Sequence, residues 1–348
     1  VRKIIEGREE QIRPCVGANY CLDRIYNAGA AYCIHNAATG RETTMPHDVP
    51  RAPARRKVVI VGAGPGGLEA ARVAGERGHE VVVFEAADKP GGQVRLTARS
   101  ERRKEMISII DWRMAECARL GVRFHFNLWA DAAAIREEGA DVVIVATGGL
   151  PHTEVLARGN QWVVSSWDIL SGDARPGRNV LVYDDAGDHA GLQAAELIAR
   201  SGARVEIMTP DRAFAPEVMG MNLVPYMRSL QRLDTTFTVT YRLKAVDRDG
   251  DLLLATLGTD YSDLEKTRHF DQIVVNHGTR PLDELYVELQ PLSTNQGAVE
   301  YQDLILGRPQ QVKTNPDGHF QLFRIGDAVS SRNTHAAIYD ALRLVKDL

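Results

Sequence analysis

The sequence predicts an α/β fold, two three-layer domains built on parallel sheets and preceded by a small irregular cysteine-rich module. Three observations predict it. The run KVVIVGAGPGGLEAARVAGERGHEVVVFE, residues 57–85, reads as strand, glycine turn, helix and strand. A second run, NVLVYDDAGDHAGLQAAELIARSGARVEIM, residues 179–208, repeats that pattern as an internal duplication. Ahead of both, Cys15, Cys21 and Cys33 fall within nineteen residues, spaced by glycines and alanines.

Val58 to Val61 is an apolar, β-branched run of the kind buried on both faces of a sheet. Gly62, Gly64 and Gly67 follow as GxGxxG, the first for the tight bend, the second for close approach of a pyrophosphate, the third for helix–strand packing. The helix carries Leu68, Ala71, Val73 and Ala74, stops at Gly78, and aims its positive end at the phosphates. Val81 to Phe84 is the second strand, and Glu85 at its end is placed to accept hydrogen bonds from ribose hydroxyls. A glycine-rich turn alone is weak evidence, and an empty unit of this kind is the bland alternative. Here strand, turn, helix, strand and terminal acid stand in the required order.

With 348 residues there is chain for two or three domains. The 44% apolar and 25% charged content fits a globular protein, and a net charge of -4 gives no basis for a nucleic-acid partner. No apolar run reaches the roughly 20 residues of a membrane span and no signal-peptide pattern opens the chain, so a cytoplasmic protein without membrane contact is expected. The chain starts at Val1 in what reads as mid-helix, the expectation being a fragment. Four cysteines are too few for a disulfide scaffold. Cys15, Cys21 and Cys33 are spaced to hold an iron–sulfur cluster; zinc with His35 as fourth ligand, or unmetallated thiols, compete with that reading.

Further along, residues 51–56, RAPARR, read as a basic linker. Gly91, Gly92 and Gln93 form a second glycine loop, placed for close approach of a cofactor or simply for a turn. Met106, Ile109, Ile110, Met114 and Cys117 have helical spacing, which makes Cys117 a buried small hydrophobe. Val122 to Phe126 reads as a strand, and residues 140–149 as a buried strand ending in Ala146, Thr147 and Gly148. In the second glycine-type turn, DDAGDHAG replaces GxGxxG. Asp184, Asp185 and Asp188 there would satisfy the helix dipole and repel a phosphate, at about 4 kcal/mol for one charge some 4 Å away at an effective dielectric near 20. His277 reads as structural, with no recognisable dyad partner nearby. A strand to Ile325, then Gly326 and Asp327, then an amphipathic helix from about Thr334 close the chain.

The segment CVGANYC, with Cys33 after a further eleven intervening residues and then Asn36 and the GRE of Gly40 to Glu42, resembles the flavoenzyme family of trimethylamine dehydrogenase, bacterial 2,4-dienoyl-CoA reductase and betaine or dimethylglycine demethylases. The resemblance covers essentially the whole chain. It implies two Rossmann-like three-layer domains of the glutathione-reductase type behind an iron–sulfur segment, with a TIM barrel carrying FMN ahead of them. It implies FAD, or ADP in its place, at Gly62, Gly64, Gly67 and Glu85, with Gly92, Gln93, the ATG of Thr147, and the Gly326–Asp327 pair on the flavin side. Cys15, Cys21 and Cys33 match three [4Fe–4S] ligands. Ala18 stands where the family has the fourth, which leaves a three-iron cluster, Asn19 as ligand, or no cluster.

The expected domains are 1–56, cysteine module and linker; 57–150 with 311–348, the FAD or ADP domain; and 151–310, a degenerate NAD(P)-type domain. The function that follows is the electron-transfer portion of an oxidoreductase that oxidatively demethylates a small methylated amine or amino acid. Its substrate and FMN would sit on the missing barrel, its electrons would leave to an external carrier, and an oligomer is expected. No catalytic residue is assigned. An NAD(P)H-dependent FAD reductase, which needs an intact second turn, and a non-catalytic ADP-binding docking module are the rival readings.

Overall fold

Runs of valine and isoleucine build the sheets, because a strand covered on both faces has no polar side to present. The computed structural model describes residues 2–348, so the expected start of a helix at Val1 lies outside it. Two units emerge, the first made of the chain up to Arg95 with residues 105–150 and 280–348, the second of 96–104 and 151–279. In the first, the cysteine segment holds helix α1 (Tyr20–Tyr26). It is followed by β1 (Lys57–Val61), α2 (Pro65–Glu76), β2 (Glu80–Phe84), α3 (Ser108–Arg119), β3 (Arg123–His125) and β4 (Val142–Val145). The chain leaves through β5 (Gly149–Pro151). The second unit holds β6 (Val163–Ser165), β7 (Asn179–Asp184), α4 (His189–Arg200), β8 (Arg204–Met208) and β9 (Thr236–Thr238). An antiparallel sheet of β10 (Arg242–Asp249), β11 (Leu252–Gly258) and β12 (Glu265–Phe270) precedes β13 (Gln272–Asn276). After β14 (Thr279–Pro281), β15 (Gln321–Arg324) and α5 (Thr334–Val345) complete the first unit.

Each unit centres on a five-stranded parallel sheet, in the order β15-β4-β1-β2-β3 in the first and β6-β13-β7-β8-β9 in the second. Alternation along β1 divides the first core. Val58 and Ile60 pack with Leu68, Ala71, Ile338 and Leu342 of α2 and α5, while Val59 and Val61 pack with Ile135 and Leu289 on the other face. That makes three layers. The second unit repeats the arrangement, with Val180 and Val182 against Leu192 and Ile198.

The boundaries differ from the sequence expectation in two places. Residues 280–310 belong to the first unit, not the second, because Asn295 ties them to its sheet. Its Nδ2 donates to the Leu322 carbonyl and its Oδ1 accepts from the Leu322 N–H, both at 2.8 Å. Nor do residues 2–56 stand apart: Val16, Ala37, Ala38, Met45 and Val49 lie in the first unit's own core. None of the described helices is long and apolar enough to cross a membrane.

Candidate nucleotide site

Between β1 and α2 the glycines divide by task. Gly62 has φ +104°, and a Cβ on it would strike the Ala146 carbonyl; a Cβ on Gly67 would strike the Gly62 carbonyl. Both are demanded by the packing of the turn itself. Gly64 is different. It caps α2 with no side-chain bond, and open space lies where its Cβ would stand. The N–H groups that begin an α-helix have no partner within it, so an anion there meets donors and the positive end of the dipole.

The other predicted positions converge on this turn. Glu85 at the end of β2 accepts from the Ala63 N–H at 2.7 Å through Oε2 and from the Ala87 N–H at 2.9 Å through Oε1, so it fixes the turn with lone pairs to spare. Gly91 donates its N–H to the Ala63 carbonyl at 2.8 Å, and a Cβ on Gly92 would come within 3.7 Å of Gly64 Cα. Gln93 Nε2 donates to Asp327 Oδ2 at 2.9 Å, and Asp327 Oδ1 accepts from the Arg332 N–H at 3.1 Å. Burial pushes the Asp327 carboxyl up against the hydrogen bonds that lower it. Gly326 has φ +63° and faces Ala337, which also lies against Gly66. Thr147 departs from the group, since its hydroxyl donates to the Leu282 carbonyl. Ala63, Arg332 and Ala337 were missed at the sequence level, because they act through main-chain groups or a methyl and carry no compositional signal.

Beneath this turn lies a second feature that sequence reading passed over. Glu69 is fully buried, with Arg113 Nε and Arg72 Nη2 each donating to it at 2.8 Å. Burial alone would raise its carboxyl, but Arg72, Arg113 and Arg13 outweigh that and hold it well below the usual carboxylate range. Arg113 also donates to the His35 carbonyl at 2.9 Å, which anchors the cysteine segment to α3.

The described residues of the cysteine segment are not gathered as metal ligands would be. Cys15 and Cys21 are exposed and Cys33 is half-buried, while Ala18, at the fourth family position, packs against the hydrophobic core. Among the described residues no three His, Cys, Asp or Glu side chains gather where a metal ion could sit. His35, the zinc alternative, is buried, its Nδ1 bonded to the Pro14 carbonyl at 3.0 Å. Cys117 lies in the core as expected, its thiol pushed up to about 12 by burial.

In the second unit the three aspartates of the turn act separately. Asp188 caps α4, accepting from the Ala190 N–H at 2.8 Å. Asp184 is buried against Gly191 and accepts from the Gly187 N–H at 3.0 Å and Asn276 Nδ2 at 2.8 Å. Burial, then the neighbouring Asp188, push its carboxyl up to about 7. Asp185 Oδ1 lies 2.8 Å from His277 Nδ1, so the expectation that His277 has no dyad partner was wrong; the partner is 92 positions away. At this turn Asp188 caps the helix end and the Asp184 side chain lies against Gly191, with Asp185 engaged by His277.

Two Rossmann-type units in one chain, the first with an open glycine turn beneath a glutamate-ended strand, define the class of nucleotide-dependent oxidoreductases. The chain belongs to the pyridine nucleotide-disulphide oxidoreductase family, whose model matches residues 56–341, and that membership implies FAD binding. It is 73% identical over its whole length to a probable N-methylproline demethylase of Rhizobium meliloti, covering 51% of that protein. It is 44% identical to an N,N-dimethylglycine/sarcosine dehydrogenase of Chromohalobacter salexigens, again over the whole chain and 52% of the relative. Among solved structures, a 2-naphthoyl-CoA reductase superposes over the whole chain and 48% of its own, with a TM-score of 0.82 and 25% identity. The chain thus spans about half the length of the curated relatives it matches.

Proposed function

We propose that this chain is the electron-transfer part of a flavoprotein that oxidatively removes N-methyl groups from a small methylated amine or amino acid. The contrast between the two turns carries the reading: one leaves its helix N-terminus open, the other closes it with Asp188 and Asp184. The first turn fits the adenosine diphosphate portion of FAD, or ADP itself. Gly62, Gly64 and Gly67 shape the backbone around the pyrophosphate, Glu85 takes the ribose hydroxyls, and Gly92, Gln93 and Asp327 line the flavin side. FAD, when bound, supplies two-electron and one-electron chemistry at its ring. Gln93 and Asp327, bonded to one another, fix the polar edge of the pocket before a ligand enters. The second turn, on this reading, takes no nicotinamide cofactor, so electrons leave to an external carrier.

Similarity to named demethylases and dehydrogenases supports the substrate class. An FMN-carrying barrel, the amine site on it and an oligomer belong to the same proposal. Thr147 enters as a backbone neighbour of Gly62 rather than through its hydroxyl. An iron–sulfur cluster on Cys15, Cys21 and Cys33 has the spacing in its favour and the arrangement of those thiols against it, and no step is routed through it. One experiment tests the reading. The purified chain is denatured and its nucleotide identified by chromatography, with NADH titrated against the native chain in parallel. Released FAD or ADP and no saturable NADH binding is the expected result; NADH binding at the second turn would overturn it.

A further inference from the structure

The GRE motif of the cysteine segment takes no part in the site described so far. Its Arg41 lies over the ring of Tyr32 at 3.5 Å and that of Tyr339 at 4.4 Å, and Nη1 is 3.3 Å from His335 Nε2. His335 is buried on the first turn of α5, its Nδ1 bonded at 2.9 Å to the carbonyl of Cys33. Nδ1 therefore carries the proton, which leaves Nε2 to accept from Arg41. Tyr32 stacks on the same ring at 5.8 Å and Tyr20 packs at 4.9 Å, so the neighbours of Cys21 and Cys33 both lean on His335. Two residues further along α5, Ala337 fills the space beside Gly66 at the glycine turn and beside Gly326 before Asp327. One helical turn thus touches the cysteine segment with one side chain and the nucleotide cradle with another.

We infer that His335, held by Arg41, is a positioning residue that couples nucleotide occupancy of the first turn to the order of the cysteine segment. The inference rests on the proposed nucleotide site. A ligand at the glycine turn steadies the first turn of α5 through Ala337 beside Gly66, and the His335–Cys33 hydrogen bond passes that order to residues 31–35. The coupling is reciprocal, since what tightens one end of a shared element must favour the other.

Hydrogen exchange on the nucleotide-free chain, with and without ADP, reads both ends at once. In the wild type, ADP is expected to slow exchange at residues 62–68 and, about tenfold, at residues 31–35. His335→Leu should keep the protection at 62–68 and lose it at 31–35, and His335→Asn, which keeps a donor where Nδ1 stood, should restore it. Protection of the turn without protection of 31–35 in the wild type would overturn the coupling and leave the nucleotide site standing. Protection at neither place would overturn both. Unchanged protection of 31–35 in a folded His335→Leu also refutes the role of His335. Should that variant lose its folded circular dichroism, Arg41→Lys, which cannot place a guanidinium between the two tyrosines, carries the same comparison.

Discussion

Replacing Asp184 by asparagine puts the closed second turn to a quantitative test. The Asp184 carboxyl is raised from the ordinary 3.8 to about 7, by burial first and by Asp188 second. A group whose folded pKa exceeds its unfolded value holds its proton more tightly in the folded state. Its stabilising effect is complete below pH about 4, declines as pH rises through the window from 4 to 7, and is gone above 7. About three pH units at 1.36 kcal/mol each give about 4 kcal/mol over that window. Asparagine keeps an oxygen acceptor for the Gly187 N–H and Asn276 Nδ2 and does not titrate. Urea unfolding from pH 4 to 8.5 is the assay, with the m-value checked for constancy. The variant should match the wild type near pH 4 and exceed it by about 2 to 4 kcal/mol at pH 8. Parallel stability curves for the two proteins would show that the Asp184 carboxyl is not raised in the fold, and the account of its protonation by burial would fail.

The glycine turn gives a paired prediction: Gly64→Ala folds with stability within about 1 kcal/mol of wild type, since its methyl enters open space and the poorer cap is offset by the less flexible unfolded chain, yet loses nucleotide. Gly67→Ala, whose methyl meets the Gly62 carbonyl, destabilises the fold outright, and comparing urea midpoints with bound-nucleotide content separates the two effects. Glu69→Ala leaves Arg113 buried without its carboxylate and Arg72 with Glu76 alone, and should cost about 3–5 kcal/mol by chemical unfolding. Burial holds His35 and His189 down to about 3 and His335 to about 4, so the unfolded chain takes up protons that the folded chain refuses. Stability conferred by these rings is full above pH 6.5 and falls as pH drops toward 4, opposite in sign to Asp184. Thermal melts of Asp184→Asn at pH 6.5 and 4.5 isolate it, and an unchanged Tm would contradict their neutral burial.

Local chemistry was legible in the sequence and long-range pairing was not. The β1 turn could be read because tight backbone approach admits only glycine at Gly62 and Gly67, and the strands because valine runs suit a doubly covered sheet. Asp188 as a helix cap follows from its place before His189. By contrast, Glu69 finds Arg113 44 positions away, and His277 finds Asp185 92 positions away. No periodicity encodes such distances. The return of the chain at residue 280 was hidden for the same reason, since Asn295 looks like a turn residue until Leu322 is placed beside it. The three cysteines were visible as a group, but the long-range bonds from Arg113 and His335 to the carbonyls of His35 and Cys33 were not.

The two turns solve one problem in opposite ways. Every α-helix that begins at a sheet edge must satisfy its first N–H groups. Gly64 gives those of α2 no side-chain partner, and Glu85 accepts from the Ala63 N–H so that the loop keeps its shape. Asp188 satisfies α4 internally, and Asp184, tied to Asn276 of β13, fills the side of Gly191 that Gly67 turns toward the Gly62 carbonyl. Removing the Asp188 carboxylate alone therefore frees donors without opening space, because Asp184 still stands in the turn. Shared sheet order made the two units alike; what caps the helix is, on the proposed reading, what separates a nucleotide site from a structural copy of one.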